Sequence, residues 1–165
     1  MDDEDHSSLI KMIFEKFETR LCPPSAGITN VTLKQLWARE RQVLVFYHHR
    51  IAHTSSLWPG YMIPSVWPNT TSVEIMQEHL EDKYKRGRPT ERFWICQGIL
   101  TPTPTTIAKN PLHSLETALA GPATEGLLSF LKGKSAGATG INIVIADFVE
   151  KGGFVSNILA LNESL

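Results

Sequence analysis

One acidic side chain lies where a carboxylate could assist proton transfer. Asp147 directly follows the apolar run at residues 141–146, which has the length and composition of a strand. A buried carboxylate at a strand end can fix the tautomer of a histidine and stabilise its imidazolium form. The alternative is a helix-capping aspartate ahead of a helix that we predict to begin at Phe154.

Three histidines, His48, His49 and His53, lie within six positions, a density that raises the question of a metal site. Zinc sites also use a fixed ligand spacing, and this segment contains neither an HExxH motif nor neighbouring cysteines. We therefore predict solvated loop histidines and no bound metal. His48 follows an apolar run directly, which leaves a substrate contact as the alternative for that residue.

Residues 48–71 combine aromatic side chains with several prolines. Trp58, Tyr61, Trp67 and Asn69 could present ring faces and an amide to a ligand or to a lipid interface. Packing over the end of a sheet explains the same residues. The proline and glycine punctuation predicts a structured loop with a short strand near residues 63–67.

Helical spacing of apolar residues accounts for much of the remaining chain. The predicted helices cover residues 7–20, 32–37, 72–85, two short segments within 111–131 that Gly121-Pro122 separates, and 154–161. Thr32 or Asn30 can cap the second helix and Ser72 the third.

Continuous β-prone runs predict strands over residues 43–47, 93–100 and 141–146. Strands and helices then alternate along the chain, an order typical of right-handed βαβ crossovers and of a parallel α/β sheet. In such sheets the functional groups gather where the carboxyl ends of the strands meet the following loops. Tyr47, His48, Trp67, Asn69 and Asp147 all lie at or near predicted strand ends.

Composition sets limits on the class of protein. The 165-residue chain has 16 lysines and arginines against 17 aspartates and glutamates, so we predict no nucleic-acid partner. The acidic residues 1–5 lack the basic and apolar regions of a signal peptide, and no apolar run approaches the roughly 20 residues of a membrane span. Cys22 and Cys96 form no CxxC motif, which fits a reducing compartment. We predict a single cytoplasmic domain.

Seven blocks occur in one order between about residues 9 and 162. They are Leu21-Cys22-Pro23, Thr32-Leu33-Lys34-Gln35-Leu36-Trp37, Gln42-Val43-Leu44-Val45-Phe46-Tyr47-His48, Leu57-Trp58-Pro59-Gly60, Trp67-Pro68-Asn69-Thr70-Thr71, Leu100-Thr101-Pro102 and Asn142-Ile143-Val144-Ile145-Ala146-Asp147-Phe148-Val149. Together they resemble the carboxyl-terminal half of the phosphatidylinositol-specific phospholipase C X-domain-containing proteins.

This resemblance implies a TIM-type barrel that cleaves the phosphodiester between an inositol head group and diacylglycerol, without bound calcium or another cofactor. In the family pattern one histidine deprotonates the inositol 2-hydroxyl, a second protonates the leaving oxygen, and an arginine stabilises the phosphate. In-line displacement at phosphorus needs such a base, acid and cation. Asp147 matches a carboxylate that orients a catalytic histidine.

The sequence departs from the family in one respect. The family places its two histidines, its arginine and one carboxylate in an amino-terminal half, and those segments do not occur here. We therefore predict an α/β fold that is a partial TIM-type barrel, with about four of the eight βα units of the phospholipase C-like barrel. As a truncated chain it is expected to be inactive.

The resemblance also implies a partner, a phosphoinositide or related phospholipid head group, with peripheral membrane contact. Tyr47, His48, Trp67 and Asn69 are the predicted substrate-binding residues. Two alternatives stay open: a non-catalytic interaction or decoy half-domain, and a small flavodoxin-like binding protein, although no phosphate loop follows the first strand. Exposed sheet edges of a half-barrel would favour self-association.

Overall fold

The structure, a computed structural model, describes residues 3–28, 31–53, 55–89, 91–137 and 139–163. The chain divides into two compact units, Met1–Pro64 and Ser65–Leu165. Each unit contains helices and a pair of parallel strands. The fold class is therefore mixed α/β, as predicted.

The first unit contains the helices α1 (Asp3–Phe17) and α2 (Leu33–Ala38) and the short strands β1 (Phe46–Tyr47) and β2 (Trp58–Pro59). The two strands pair in parallel. Thr32 caps α2, because its hydroxyl accepts a hydrogen bond of 3.2 Å from Gln35 N. The alternative cap, Asn30, lies outside the described residues.

β1 is shorter than the strand predicted over residues 43–47. Val43 makes an isolated parallel bridge to Leu21, and regular pairing begins only at Phe46. Proline explains the limit on the side of Leu21, since Pro23 and Pro24 follow it closely. A proline has no N–H to donate, so that segment cannot extend the bridge at Val43 into a ladder.

Trp58 anchors the first unit. Its side chain is 1% exposed, and its Nε1 donates a hydrogen bond of 2.7 Å to the carbonyl oxygen of Cys22. Phe46 packs beside it, with ring centroids 5.8 Å apart. A buried indole whose N–H is satisfied is a core residue, so Trp58 takes no part in ligand contact.

The second unit contains the helices α3 (Val73–Arg86), α4 (Pro104–Lys109), α5 (Gly121–Leu131) and α6 (Phe154–Ala160) and the strands β3 (Ile95–Gly98) and β4 (Ile143–Ala146). The strands pair in parallel from Ile95 opposite Ile143 to Gly98 opposite Ala146. Ser72 caps α3 as predicted, accepting a hydrogen bond of 3.2 Å from Ile75 N.

Two glycines let the layers of the second unit approach closely. An added Cβ at Gly98 of β3 would lie 2.8 Å from both Cβ and Cγ of Leu127, which is fully buried in α5. An added Cβ at Gly126 would overlap Val73 of α3 in the same way. The buried cluster formed here includes Met76, Leu80, Cys96, Leu100, Leu119, Ala123, Leu127, Phe130, Leu131, Ile141 and Phe154.

The predicted break between two short helices at Gly121-Pro122 is wrong. A five-residue π-helical segment, Glu116–Ala120, runs directly into α5. Gly121 N donates to the Glu116 carbonyl in the wide π turn, and Pro122 has no N–H that would need a partner. The change from π to α hydrogen bonding therefore occurs where the proline would otherwise interrupt an α-helix.

The short strand predicted near residues 63–67 is also wrong, since this segment has no regular secondary structure. Pro64 lies within the segment and Pro68 follows it, and neither can donate to a strand ladder. In the described ranges the strands form two separate parallel pairs and no closed barrel. The partial TIM-type barrel is not confirmed.

Both cysteines are free and buried. Burial raises the pKa of both thiols, that of Cys96 to about 12. We expect neither thiol to react with a thiol reagent at neutral pH until denaturant is added, because the reactive thiolate is scarce and inaccessible. Rapid labelling of the folded chain would contradict this expectation.

The raised pKa of Cys96 also predicts a loss of stability in alkali. An unfolded cysteine ionises near pH 8.5, roughly, so between that pH and about 12 the unfolded chain has lost a proton that the folded chain keeps. The free energy of unfolding contributed by this thiol therefore falls as the pH rises through that window. Comparison with Cys96→Ala in urea titrations at several pH values measures the effect.

Candidate functional site

The parallel pair of β3 and β4 brings two strand ends to one edge of the second unit. Gly98 pairs with Ala146, so Ile99 and Asp147 are the residues that follow the two strands at that edge. This edge corresponds to the carboxyl ends of both strands, where loops position functional groups in parallel sheets.

One face of this strand pair is covered by helices. Cys96 belongs to the buried cluster, and Gly98 lies against Leu127 of α5. Their register partners on β4, Val144 and Ala146, pack against the same cluster. The even-numbered positions of both strands therefore face the helices.

The opposite face of the strand pair carries one polar side chain within the two strands, that of Gln97. Because successive strand side chains alternate, Gln97 and its register partner Ile145 project away from the helices. Asp147 follows the last residue of β4 and lies at a bend. Gln97 and Asp147 thus lie near the same edge of the strand pair.

The segment before α3 is tied to this edge by hydrogen bonds. Ser65 Oγ donates to Gln97 Oε1 at 3.0 Å, and Trp67 Nε1 donates to Thr101 Oγ1 at 3.2 Å. Thr101 N donates to the Thr70 carbonyl at 2.8 Å. Ser65, Trp67, Gln97, Thr101 and Asp147 are called the strand-end edge below.

Asp147 is exposed at the end of β4. The capping alternative is wrong for this residue, because α6 begins at Phe154 and its N-cap is Gly153, with no side-chain cap bond. The carboxylate is therefore available to solvent or a ligand at the strand-end edge, rather than committed to a helix terminus.

Trp67 and Asn69 lie beside that edge. The Trp67 indole is 41% exposed, and since Thr101 already accepts from its N–H, the ring face is the part left for other contacts. Asn69 is exposed and adopts φ 50°, the left-handed region that asparagine tolerates better than most residues. Both predicted residues can therefore meet a ligand from solvent.

The remaining predicted residues, Tyr47 and His48, belong to the first unit. His6 Nδ1 of α1 lies 2.6 Å from Tyr47 Oη, in hydrogen-bond contact. His48 is exposed, and its imidazole lies over Gly60, where an added Cβ would be 2.6 Å from Cε1. Tyr47 and His48 are thus held by local contacts of their own unit.

His6, His49 and His53 of the first unit make ring contacts. His49 stacks on His6 with centroids 3.8 Å apart, and His53 stacks on Tyr61 at 6.0 Å. Stacked imidazoles direct their nitrogen lone pairs side by side rather than toward one point, as a metal would require. Across the described residues, no group of three or more His, Cys, Asp or Glu could hold a metal ion.

The sequence interpretation placed Thr101 at a strand end but did not select Ser65 or Gln97. A signal for Gln97 was present, since it is the polar residue within the otherwise apolar and aromatic run from Phe93 to Leu100. A glutamine that interrupts a buried strand needs a partner, and Ser65 provides it. Nothing in the sequence indicated that Ser65, 32 residues earlier, would be that partner.

Among the helices in the described ranges, none is both long and apolar enough to cross a membrane. Exposed apolar side chains do follow the strand ends of the second unit. Phe148 and Val149, directly after Asp147, are both exposed.

Sequence comparison finds relatives along nearly the whole chain. It is 36% identical to human PI-PLC X domain-containing protein 3 over 163 residues, 98% of this chain and 50% of the relative. It is 36% identical to mouse PI-PLC X domain-containing protein 2 over 166 residues, 100% of this chain and 48% of the relative. Mouse PI-PLC X domain-containing protein 1 shares 36% identity over 168 residues, 98% of this chain and 46% of the relative.

No family model matches the chain, and no solved structure matches it. The chain spans about half the length of the curated relatives it matches. The similarity to these relatives nonetheless covers nearly all of this chain, which confirms the resemblance inferred from the seven sequence blocks. By sequence, the chain belongs to the family of PI-PLC X domain-containing proteins.

Proposed function

We propose that the chain is the carboxyl-terminal half of a phosphodiesterase domain that acts on phosphatidylinositol lipids, and that it does not hydrolyse lipid by itself. The observation that carries the proposal is the placement of Asp147, exposed directly after β4, at the same strand-end edge as Gln97 of β3. The names of the relatives, with the chain spanning about half of them, support the choice of family.

Inactivity of the chain alone follows from what phosphoryl transfer requires. A base must remove the proton of the attacking hydroxyl, an acid must protonate the leaving oxygen, and a cation must balance the phosphate. The family pattern assigns these roles to histidines and an arginine in segments that this sequence lacks. Asp147 can orient a histidine, but a carboxylate alone provides none of the three functions.

The ligand in this proposal is the inositol phosphate head group. Trp67 would stack its exposed ring face on the inositol ring, and Asn69 would hydrogen-bond a hydroxyl. Separately, within the first unit, Tyr47 and His48 at the carboxyl end of β1 are proposed as residues that bind a polyol. Their hydrogen-bonding side chains suit a polyol, whose hydroxyls both donate and accept.

Peripheral membrane contact is part of the same proposal. Exposed Phe148 and Val149 beside Asp147 would enter the lipid interface while the head group meets the strand-end edge. We propose a cytoplasmic setting, supported by the two free, buried thiols of Cys22 and Cys96.

Complementation with the absent half tests the proposal. The chain alone should release no inositol phosphate from phosphatidylinositol vesicles. Addition of the half of human PI-PLC X domain-containing protein 3 that the chain does not match should give a complex that does. Release is measured as water-soluble radiolabelled inositol phosphate.

The matched control is the same half of the relative without the chain, which should be as inactive as the chain alone. Turnover by the chain alone would contradict the proposal that the chain lacks the base, the acid and the cation of the reaction. Formation of a stable complex without any turnover would favour the alternative of a non-catalytic interaction or decoy half-domain. Self-association of the chain, measured by sedimentation, would be expected to decrease as the complex forms, because the open edge of β4 becomes paired.

A further inference from the structure

We propose that Gln97, held by Ser65, is a specificity-determining residue of the strand-end edge, whose amide N–H groups donate to an oxygen of the polyol phosphate ligand. The proposal rests on the proposed function and adds a residue to it. Gln97 was not selected from the sequence, and its role follows from its burial, its single partner and its neighbour Asp147.

The amide of Gln97 is held in one orientation. The side chain is 9% exposed, in the interior of the second unit, and Oε1 accepts from Ser65 Oγ at 3.0 Å. With Oε1 committed to Ser65, the amide nitrogen is directed away from that hydroxyl. A buried amide that one hydrogen bond already orients is a preorganised donor, so it loses little further conformational entropy when a ligand binds.

The amide nitrogen remains accessible for such a ligand. Among the described residues, Gln97 Nε2 has no hydrogen-bond partner. In the same residues, the only fully buried side-chain nitrogen or oxygen without a partner is Gln35 Oε1. Gln97 Nε2 is therefore not fully buried and reaches accessible surface. A mostly buried amide donor needs water or a ligand oxygen to satisfy it.

The position of Asp147 defines what that ligand would be. Gln97 lies on β3 opposite Ile145, and Asp147 is two residues further along the chain, just after the end of β4. Strand spacing and rise place the two positions about 8 Å apart. One site donates and the other accepts, so a ring polyol with hydroxyls on opposite edges fits between them.

Titration of the purified chain with myo-inositol 1-phosphate tests this inference. Nitrogen-edited NMR should show the side-chain amide resonances of Gln97 shifting as the ligand is added. Gln97→Met, which keeps the length of the side chain and removes the donors, should bind about tenfold more weakly. Titrations with myo-inositol alone and with inorganic phosphate alone distinguish an amide contact to the ring from a contact to the phosphate.

Matched variants separate a binding role from a structural one. Gln42→Met changes an exposed glutamine of the first unit and should leave the affinity unchanged. Ser65→Ala frees the amide to rotate and should weaken binding by a few-fold, whereas Ser65→Thr keeps the hydroxyl and should restore it. These graded effects would not follow from a general loss of packing.

The titrations distinguish failure of the role of Gln97 from failure of the proposed function. Binding by Gln97→Met within twofold of the parent chain, or unshifted Gln97 amide resonances in the parent at saturation, would overturn the inference and leave the proposed function intact. Binding of none of the three ligands by the parent chain would overturn the inference and the proposed head-group contacts of Trp67 and Asn69, whereas complementation decides the assignment as half of a phosphodiesterase domain. If Gln97→Met fails to fold, the amide resonances of the parent chain decide the question.

Discussion

Replacing Gly98 by valine is expected to unfold the second unit. Even the first added carbon would lie 2.8 Å from both Cβ and Cγ of Leu127, and Leu127 has no exposed surface toward which to move. Overpacking of a closed core costs about 3 kcal/mol or more when the backbone cannot shift, and β3 is held by its pairing with β4. Urea denaturation followed by far-ultraviolet circular dichroism should show the loss.

A second substitution at Leu127, which makes room for the carbon added at Gly98, provides the internal control. Gly98→Ala and Leu127→Ala should each destabilise the chain, the second by leaving a cavity, and the double variant should be more stable than the sum predicts. Gly133→Ala is the open-space comparison, since nothing lies within 4 Å of its added carbon and only its positive φ is penalised, by about 1–2 kcal/mol. Equal losses for Gly98→Ala and Gly133→Ala would refute the steric argument.

Asparagine at position 147 is expected to lower kcat of the complemented phosphodiesterase by about a thousandfold to ten-thousandfold. The change keeps size and hydrogen-bonding length but removes the charge that would favour the imidazolium form of the catalytic base. The carboxylate raises the pKa of such a histidine, so its loss should move the acidic limb of the kcat/KM profile to lower pH. Rates and pH profiles on monomeric short-chain phosphatidylinositol provide the measurement.

Two variants keep this prediction specific. Asp147→Glu restores the charge with a longer reach and should recover part of the rate. Asp82→Asn removes an exposed carboxylate of α3 that pairs with Arg86 at 2.9 Å, and should leave the rate unchanged. A rate for Asp147→Asn within threefold of the parent complex, with an unmoved pH profile, would remove Asp147 from the histidine-orienting role.

The sequence located the strands of the second unit because buried parallel strands are apolar on both faces. Residues 93–100 and 141–146 contain β3 and β4 for that reason. Their register was beyond prediction, since an apolar run carries no information about which residue pairs with which. The predicted strand over 43–47 shortened because the neighbouring segment after Leu21 contains prolines that the strand itself does not reveal.

Helix α4 shows a signal that was present but misinterpreted. Thr103 accepts a hydrogen bond of 3.1 Å from Thr106 N, and Pro104 occupies the first turn of the helix. Threonine followed by proline is a helix start as well as a strand stop. The sequence analysis predicts no helix between residues 100 and 111, so it does not use this signal.

The candidate site was predicted where a residue follows a strand and missed where a long-range contact defines it. Asp147 and Trp67 were selected from their positions near strand ends. Gln97 became a candidate only when the register of β3 and β4 placed it near the edge that Asp147 follows. His6 likewise meets Tyr47 across 41 residues of sequence, a separation that no local pattern encodes.

The π-helical segment Glu116–Ala120 contains an extra residue in its turn, and the direction of the preceding chain depends on that residue. Removing one residue there would let ordinary α geometry extend backward from α5 and would rotate the preceding chain by about 100° about the helix axis. Leu112, 94% exposed at the tip of that chain, would then point in another direction while β3 and β4 kept their register. A single-residue length change could thus redirect this protrusion without disturbing the sheet beneath it.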